Sequence, residues 1–170
     1  MLVLGAGGFA VQLLFAIQRA DATSNPVIYC DAAFKPDSFF IDQFLVIQSI
    51  EKAHQYLLQN DSRFCLGVGL NAKRKELCNQ FEQIGGILQS VVDPSAIISH
   101  NSKSLLNGVS CLANSIVEPS SIIGKGVILN LGSMLTHHVE VGDFTEIGPG
   151  VKLLGRSKIG YSSFIGAGTI

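Results

Sequence analysis

The sequence predicts an α/β Rossmann-like domain over residues 1–90, followed by a parallel β-helix of hexapeptide repeats over residues 91–170. Three observations predict it. An apolar run opens the chain and breaks at Gly5-Ala6-Gly7-Gly8, as a buried strand does when it turns into a buried helix. A shift in composition then divides the chain in two. In the second part, steps of six from Leu105 give Cys111, Val117, Ile123, Leu129, Leu135, Val141, Ile147, Leu153, Ile159 and Ile165, apolar at every stop. The residue four further on is small or β-branched throughout, from Val109 to Thr169.

Each element follows from the same reading. Met1–Leu4 is expected as a strand, Gly5–Gly8 as a tight turn, Phe9–Arg19 as a helix and Val27–Cys30 as a second strand that ends at Asp31. The turn is a variant of the G-x-G-x-x-G pattern with Ala10 in the third glycine place. Such a turn lets backbone N–H groups approach a phosphate at the positive end of the next helix, and an acid after the following strand takes a ribose or base. Glycines needed only for strand–helix packing explain the same letters. Val46–Ile47 reads as a short strand, Glu51–Gln59 as a helix, Phe64–Val68 as a strand, and Lys73–Ile84 as a helix ending at Gly85-Gly86. Ligand is expected at the strand ends near Gly5–Gly8, Asp31 and Gly67–Asn71.

A period of six fits neither the helical turn nor the heptad. It is the period of a hexapeptide β-helix, in which three hexads close a triangular coil of about eighteen residues. The aliphatic stop points inward and the small residue fills the corner beside it. Gly124, Gly142, Gly148, Gly160 and Gly166 follow their stops directly, and are expected to let the chain turn where a Cβ would obstruct it. Ordinary antiparallel strands would alternate with a period of two instead. Val117, Ile122, Leu131 and Leu154 are expected on outer faces, where apolar residues need a partner surface, and this predicts a homotrimer.

Composition excludes several functions. A net charge of −1 with 15% charged residues gives no basic patch, and Lys73, Arg74 and Lys75 form only a short cluster on a helix, so nucleic acid is not a partner. Cys30, Cys65, Cys78 and Cys111 lack C-x-x-C spacing and stand in apolar runs. They read as buried free thiols of a reducing cytoplasm, and no metal site is expected. Leu2 to Ile17 is apolar apart from Gln12, but it lacks a basic flank, falls short of a membrane span and holds three glycines. Neither a signal peptide nor a membrane span is expected, and the protein is placed in the cytoplasm.

The chain also resembles a known family. LGAGGF, GVGLNAKRKEL, DPSAIIS, IIGKGVILNLGSMLTHHVEVGDFTEIGPG and SFIGAGTI follow one another as they do in bacterial sugar O- and N-acetyltransferases. These are the sialic acid O-acetyltransferase type and its relatives that act on UDP-amino-sugars and GDP-perosamine. The most specific part is Asn130, then His137 seven residues on, then Gly142-Asp143-Phe144. The resemblance implies an N-terminal domain binding the nucleotide of the sugar through Gly5, Gly7, Gly8, Phe9, Asp31 and Asn71. It also implies a left-handed hand for the β-helix, a homotrimer, and acetyl-CoA in grooves between neighbouring β-helices near Glu146, Gly148 and Gly166. His137 and Asn130 are the implied catalytic residues.

Chemistry leads to the same histidine. Moving an acetyl group to an amine or hydroxyl requires a proton to leave the acceptor as it attacks, and imidazole is suited to take it. His137 and His138 hold the third and fourth places of the hexad starting at Leu135, at a corner and facing out. A solvated surface pair is the plainer reading, and for His138 it is the better one.

The departures from the family pattern are informative. The residue after the family's base is usually acidic, whereas here it is His138. Glu118, eighteen residues before Thr136, is expected one coil away and within reach of His137. A second family histidine is replaced by Glu146, the histidine before Pro-Ser-Ala by Asp93, and the chain ends at Ile170 before the family's last coils. Acetylation of a nucleotide-linked amino sugar or a sialic-acid-like sugar is the favoured function. The alternatives are a sugar-nucleotide-binding protein without transfer, a structural trimer, or an acyltransferase with another acceptor such as an amino acid.

Overall fold

The computed structural model describes residues 1–36, 38–101 and 107–170, apart from the side chain of Ile41; Leu105, the first stop of the six-residue register, lies outside them. Two compact units emerge, Met1–Gln89 and Ser90–Ile170.

The first unit alternates strand and helix: β1 (Leu2–Leu4), α1 (Gly8–Ala20), β2 (Val27–Tyr29), α2 (Ser38–Gln43), β3 (Val46–Ile47), α3 (Ile50–Gln59), β4 (Arg63–Leu66), α4 (Asn71–Gln83) and β5 (Ile87–Leu88). The strands form one parallel sheet in the order β3-β2-β1-β4-β5. β1 is fully buried, which explains its unbroken apolar run. α1 buries Ala10, Leu13, Leu14, Ala16 and Ile17 along one stripe. The chain runs outward from β1 through β2 and β3, then returns to β4 on the other side of β1. That reversal leaves a crevice beyond the strand ends. The sequence reading missed α2 and β5 because two to six residues are too few to show a period.

The second unit carries the two-residue strands β6 (Val91–Val92), β7 (Ile97–Ile98), β8 (Ser110–Cys111), β9 (Ile116–Val117), β10 (Ile122–Ile123), β11 (Ile128–Leu129), β12 (Met134–Leu135), β13 (Glu140–Val141), β14 (Glu146–Ile147), β15 (Lys152–Leu153), β16 (Lys158–Ile159) and β17 (Phe164–Ile165). They stack into three parallel sheets, β17-β14-β11-β8-β6, β15-β12-β9-β7 and β10-β13-β16. Leu135 pairs with Leu153, eighteen residues on, so each coil visits every sheet once. This arrangement fits a left-handed parallel β-helix. Cys111, Val117, Ile123, Leu129, Leu135, Val141, Ile147 and Leu153 form the inner column, joined by Val109, Val127, Val139 and Val151. Burying each aliphatic side chain contributes about 1.5–3 kcal/mol.

Two expectations are corrected here. Val117 belongs to the inner column and is 1% exposed, whereas Ile122, Leu131 and Leu154 do face out at 50, 43 and 55%. The turn glycines were also assigned to the wrong place. Positive φ falls on the fourth residue of the hexad, where Asn114, Ser120, His138, Phe144, Arg156 and Ser162 alternate with Gly126, Gly132, Gly150 and Gly168. Gly142 and Gly148 answer a different need. A Cβ would stand 2.5 Å from the Tyr161 backbone N at Gly142, and 2.6 Å from the Ile165 carbonyl O at Gly148. These glycines let successive coils stack, and no such contact arises at Gly160 or Gly166.

Candidate functional site

The first unit holds a cleft of ≈ 260 Å³, lined by residues from the ends of β1, β2 and β4. Gly5, Gly7, Gly8, Phe9 and Asp31 all line it, as the sequence predicted. Gly5 has φ 130°, and its missing Cβ would meet the Gly67 carbonyl O at 2.6 Å, so β1 and β4 approach closely only because it is glycine. Gly7 and Gly8 instead face open space, and Gly7 precedes α1 with no side-chain cap. The first N–H groups of a helix lack helical partners and attract anions.

Asp31 is exposed, and its Oδ1 accepts the Ala33 N–H at 2.8 Å. Gln48 steadies the same loop, donating through Nε2 to the Phe34 carbonyl at 2.8 Å. Burial pushes the Cys30 thiol up, so this cleft residue stays protonated. Asn71 does not line the cleft with the others; its Oδ1 accepts from Nη2 of Arg74 at 3.1 Å. Arg74 is wholly buried, not part of a solvated basic cluster, and Nη1 also donates to the Gly69 carbonyl. A buried cation on the β4–α4 turn gives no signal in a sequence, because the same letters describe a surface helix.

Lys73 is the cleft residue that the sequence reading passed over. Its hydrogen bond to Glu76 at 2.7 Å, with Asp31 and Tyr29 acting in the same direction, raises its pKa and keeps it charged. Its place in the first turn of α4, just after the strand end at Gly67–Asn71, was the available signal.

In the second unit, His137 stands at the corner between β12 and β13, exposed as expected. Glu118 comes from the same corner one coil earlier. Its Oε2 accepts the His137 backbone N–H at 3.0 Å, so the carboxylate holds the main chain of the base candidate. The ring meets other neighbours. Nδ1 of His137 lies 3.1 Å from Nδ1 of His138, with the rings 5.3 Å apart and at 81°. One coil on, a Cβ at Gly155 would stand 2.6 Å from Cε1 and 2.8 Å from Nε2 of His137. The imidazole therefore lies over bare backbone, a role for Gly155 that only the eighteen-residue stacking reveals.

Asn130 is found at the preceding corner, between β11 and β12. It is 6% exposed, and its Oδ1 accepts the Leu131 N–H at 2.9 Å. Gly148 and Gly166 share its corner, one and two coils on, and Glu146 is half-buried on β14. Within one chain, therefore, His137, His138, Glu118 and Gly155 come together, while Asn130, Gly148 and Gly166 belong to a different corner. Asp143, part of the most specific family pattern, accepts the Lys125 N–H through Oδ1 at 2.8 Å, and Phe144 takes the left-handed place with φ 53°. That pattern builds a corner.

Among the described residues, no group of three or more His, Cys, Asp or Glu is arranged to hold a metal, and no helix is long and apolar enough to cross a membrane. No family model matches the chain. Solved structures share its fold. A histidine-to-alanine variant of GDP-perosamine N-acetyl transferase from Caulobacter crescentus, in complex with CoA and GDP-perosamine, matches with a TM-score of 0.80 at 21% identity, over 98% of this chain and 85% of that one. The acetyltransferase domain of PglB from Neisseria gonorrhoeae, in complex with acetyl coenzyme A, matches at 0.77 and 19% identity, over 99% and 88%. WeeI from Acinetobacter baumannii matches at 0.73 and 18% identity, over 98% and 77%.

Proposed function

We propose that this chain is a sugar acetyltransferase that moves an acetyl group from acetyl-CoA to an amine or hydroxyl of a nucleotide-linked amino sugar or a sialic-acid-like sugar. The observation that carries the reading is the His137 imidazole, exposed at a prism corner over the bare backbone of Gly155 with its main chain fixed by Glu118. The fold it shares with acetyltransferases, in complexes with CoA and GDP-perosamine, supports the substrate classes.

Acetyl-CoA supplies the acetyl group as an activated thioester. His137 accepts the proton that the acceptor amine or hydroxyl loses as it bonds to the acetyl carbon, and then returns it to the departing thiol. The residues around this corner suit a phosphorylated carrier. Arg156 follows Gly155 and donates its backbone N–H to the His137 carbonyl, and both it and Lys152 are exposed, so two cationic side chains are available to such a carrier. Glu146, Gly148 and Gly166 are read as further carrier contacts and Asn130 as a second catalytic group, contributed at their own corner.

The first unit is read as a Rossmann-like nucleotide-binding domain. The N–H groups at Gly7 and Gly8 and the charged Lys73 face phosphate, and Asp31 accepts from the ribose or base. A homotrimer follows from Ile122, Leu131 and Leu154 on the outer surface, because apolar residues there gain by mutual burial. A cytoplasmic setting matches four buried cysteines that form no disulfide among the described residues. A second reading, a sugar-nucleotide-binding protein without transfer, is favoured by Asn130, whose carboxamide oxygen is engaged with its own turn.

Incubation with acetyl-CoA and a panel of both acceptor classes, read by mass, tests the proposal. The expected result is one acetyl group gained by a member of the panel, in step with release of free CoA thiol. Tight binding of a nucleotide sugar without any transfer would establish the second reading instead.

A further inference from the structure

We propose that His138 is the positioning residue of this site, selecting the tautomer of His137 that leaves Nε2 free to take a proton; the inference rests on His137 as the base. Two imidazole nitrogens 3.1 Å apart cannot face each other with two lone pairs. One Nδ1 must carry a hydrogen and the other must accept it. A neutral His137 with its lone pair on Nε2 has its hydrogen on Nδ1, the less favoured tautomer of a free histidine. His138, with the complementary assignment, accepts that hydrogen through its own Nδ1 lone pair and makes the less favoured form the stable one.

The backbone is built to hold the pair. His138 occupies the left-handed place of its hexad with φ 60°, a conformation that costs a non-glycine residue roughly 1–2 kcal/mol. Glycine fills the same place at 126, 132, 150 and 168. Asn114, Ser120, Phe144, Arg156 and Ser162 hold it elsewhere, and at 138 the side chain placed there is a ring that reaches the preceding imidazole. Main-chain hydrogen bonds fix both residues. The His138 N–H donates to the Pro119 carbonyl at 3.2 Å, the Arg156 N–H donates to the His137 carbonyl at 3.2 Å, and Glu118 accepts the His137 N–H. Gly155 closes the other side of the ring. An imidazole held between a side-chain acceptor and a backbone floor has one orientation.

The test compares His138→Gly, which relaxes the backbone and removes the acceptor, with His138→Asn, which tolerates positive φ and restores an acceptor oxygen. Nitrogen-15 NMR of the imidazoles reports the tautomer directly. In the unmutated protein His137 is expected with its hydrogen on Nδ1. In His138→Gly it should revert to the Nε2–H form, with kcat lowered about ten- to a hundredfold and the acceptor KM unchanged. His138→Asn should keep the Nδ1–H form and most of the turnover. An Nε2–H tautomer in the unmutated protein, or His138→Gly with the tautomer and kcat unaltered, overturns the inference. His137→Ala run alongside separates the two ideas: full turnover there defeats the base assignment, while the NMR arm still decides what His138 does to the ring.

Discussion

Each unit holds two kinds of glycine, those that face open space (Gly7 and Gly8 in the first, Gly132 and Gly150 in the second) and those pressed against backbone (Gly5 in the first, Gly142 and Gly148 in the second). In the α/β unit, Gly7 and Gly8 face open space at the head of a helix, where a missing side chain leaves backbone N–H groups uncovered. In the β-helix, Gly142 and Gly148 face the backbone of the next coil, where a missing side chain lets the solenoid close its own gap. Gly155 belongs to neither kind, because its space is filled by the His137 imidazole. The same residue type therefore leaves open backbone, a packing contact or a seat for a side chain, and only the neighbour across the gap distinguishes them.

Substitution sharpens that comparison. Gly142→Ala drives a Cβ into backbone, which has no rotamer by which to yield, so stability should fall by about 1–3 kcal/mol in chemical denaturation. Gly7→Ala should stay within about 0.5 kcal/mol of the parent, because its backbone at φ −108° suits any residue and nothing lies nearby. Its effect should appear in calorimetry as weaker nucleotide-sugar binding. Equal losses of stability for both variants would erase the distinction between the two kinds of glycine.

Asp31→Ala should weaken the same ligand by about tenfold, near 1.4 kcal/mol, and leave acetyl-CoA affinity unchanged, since the two ligands are assigned to different units. Parallel loss of both affinities would count against that division.

The smallest effect concerns acid stability. Arg63 grips Asp61 with Nε to Oδ1 at 2.9 Å and Nη2 to Oδ2 at 2.8 Å, and holds its carboxyl well below the usual carboxylate range. A depressed folded pKa gives stability that is present above the unfolded value of about 3.9 and is lost as pH falls through the folded one. Asp61→Asn should cost about 1 kcal/mol or less at neutral pH and make unfolding less steep in acid. An unchanged acid limb would assign that region's pH dependence to other carboxylates.

How much was legible in the sequence follows from periodicity. The six-residue register gave the β-helix core from Cys111 to Leu153, because each coil repeats the same environment and the letters repeat with it, although Val117 was also placed on an outer face. The corners were misread because a preference for glycine has two causes, positive φ and coil stacking, and composition does not separate them. His137 was found through the pattern of Asn130, His137 and Gly142-Asp143-Phe144, and through its outward place in the hexad starting at Leu135. Gly155 and the hold of Glu118 on the His137 amide arise from stacking across eighteen and nineteen residues, where one residue of offset decides which atom is touched. The cleft was legible in its turns, since Gly5 and Asp31 follow strand ends. Arg74 was not, because burial of a charged helix residue depends on how the β4–α4 turn wraps it.

The central claim is that His137 removes the acceptor's proton, and steady-state acetylation by His137→Ala tests it most directly. The side chain is outside the core, so the variant should fold and unfold as the parent does. The expected kcat is about a hundredfold to ten-thousandfold lower on the best acceptor, with KM little changed. Turnover equal to that of the parent would contradict it and move the search for the base to another corner of the prism.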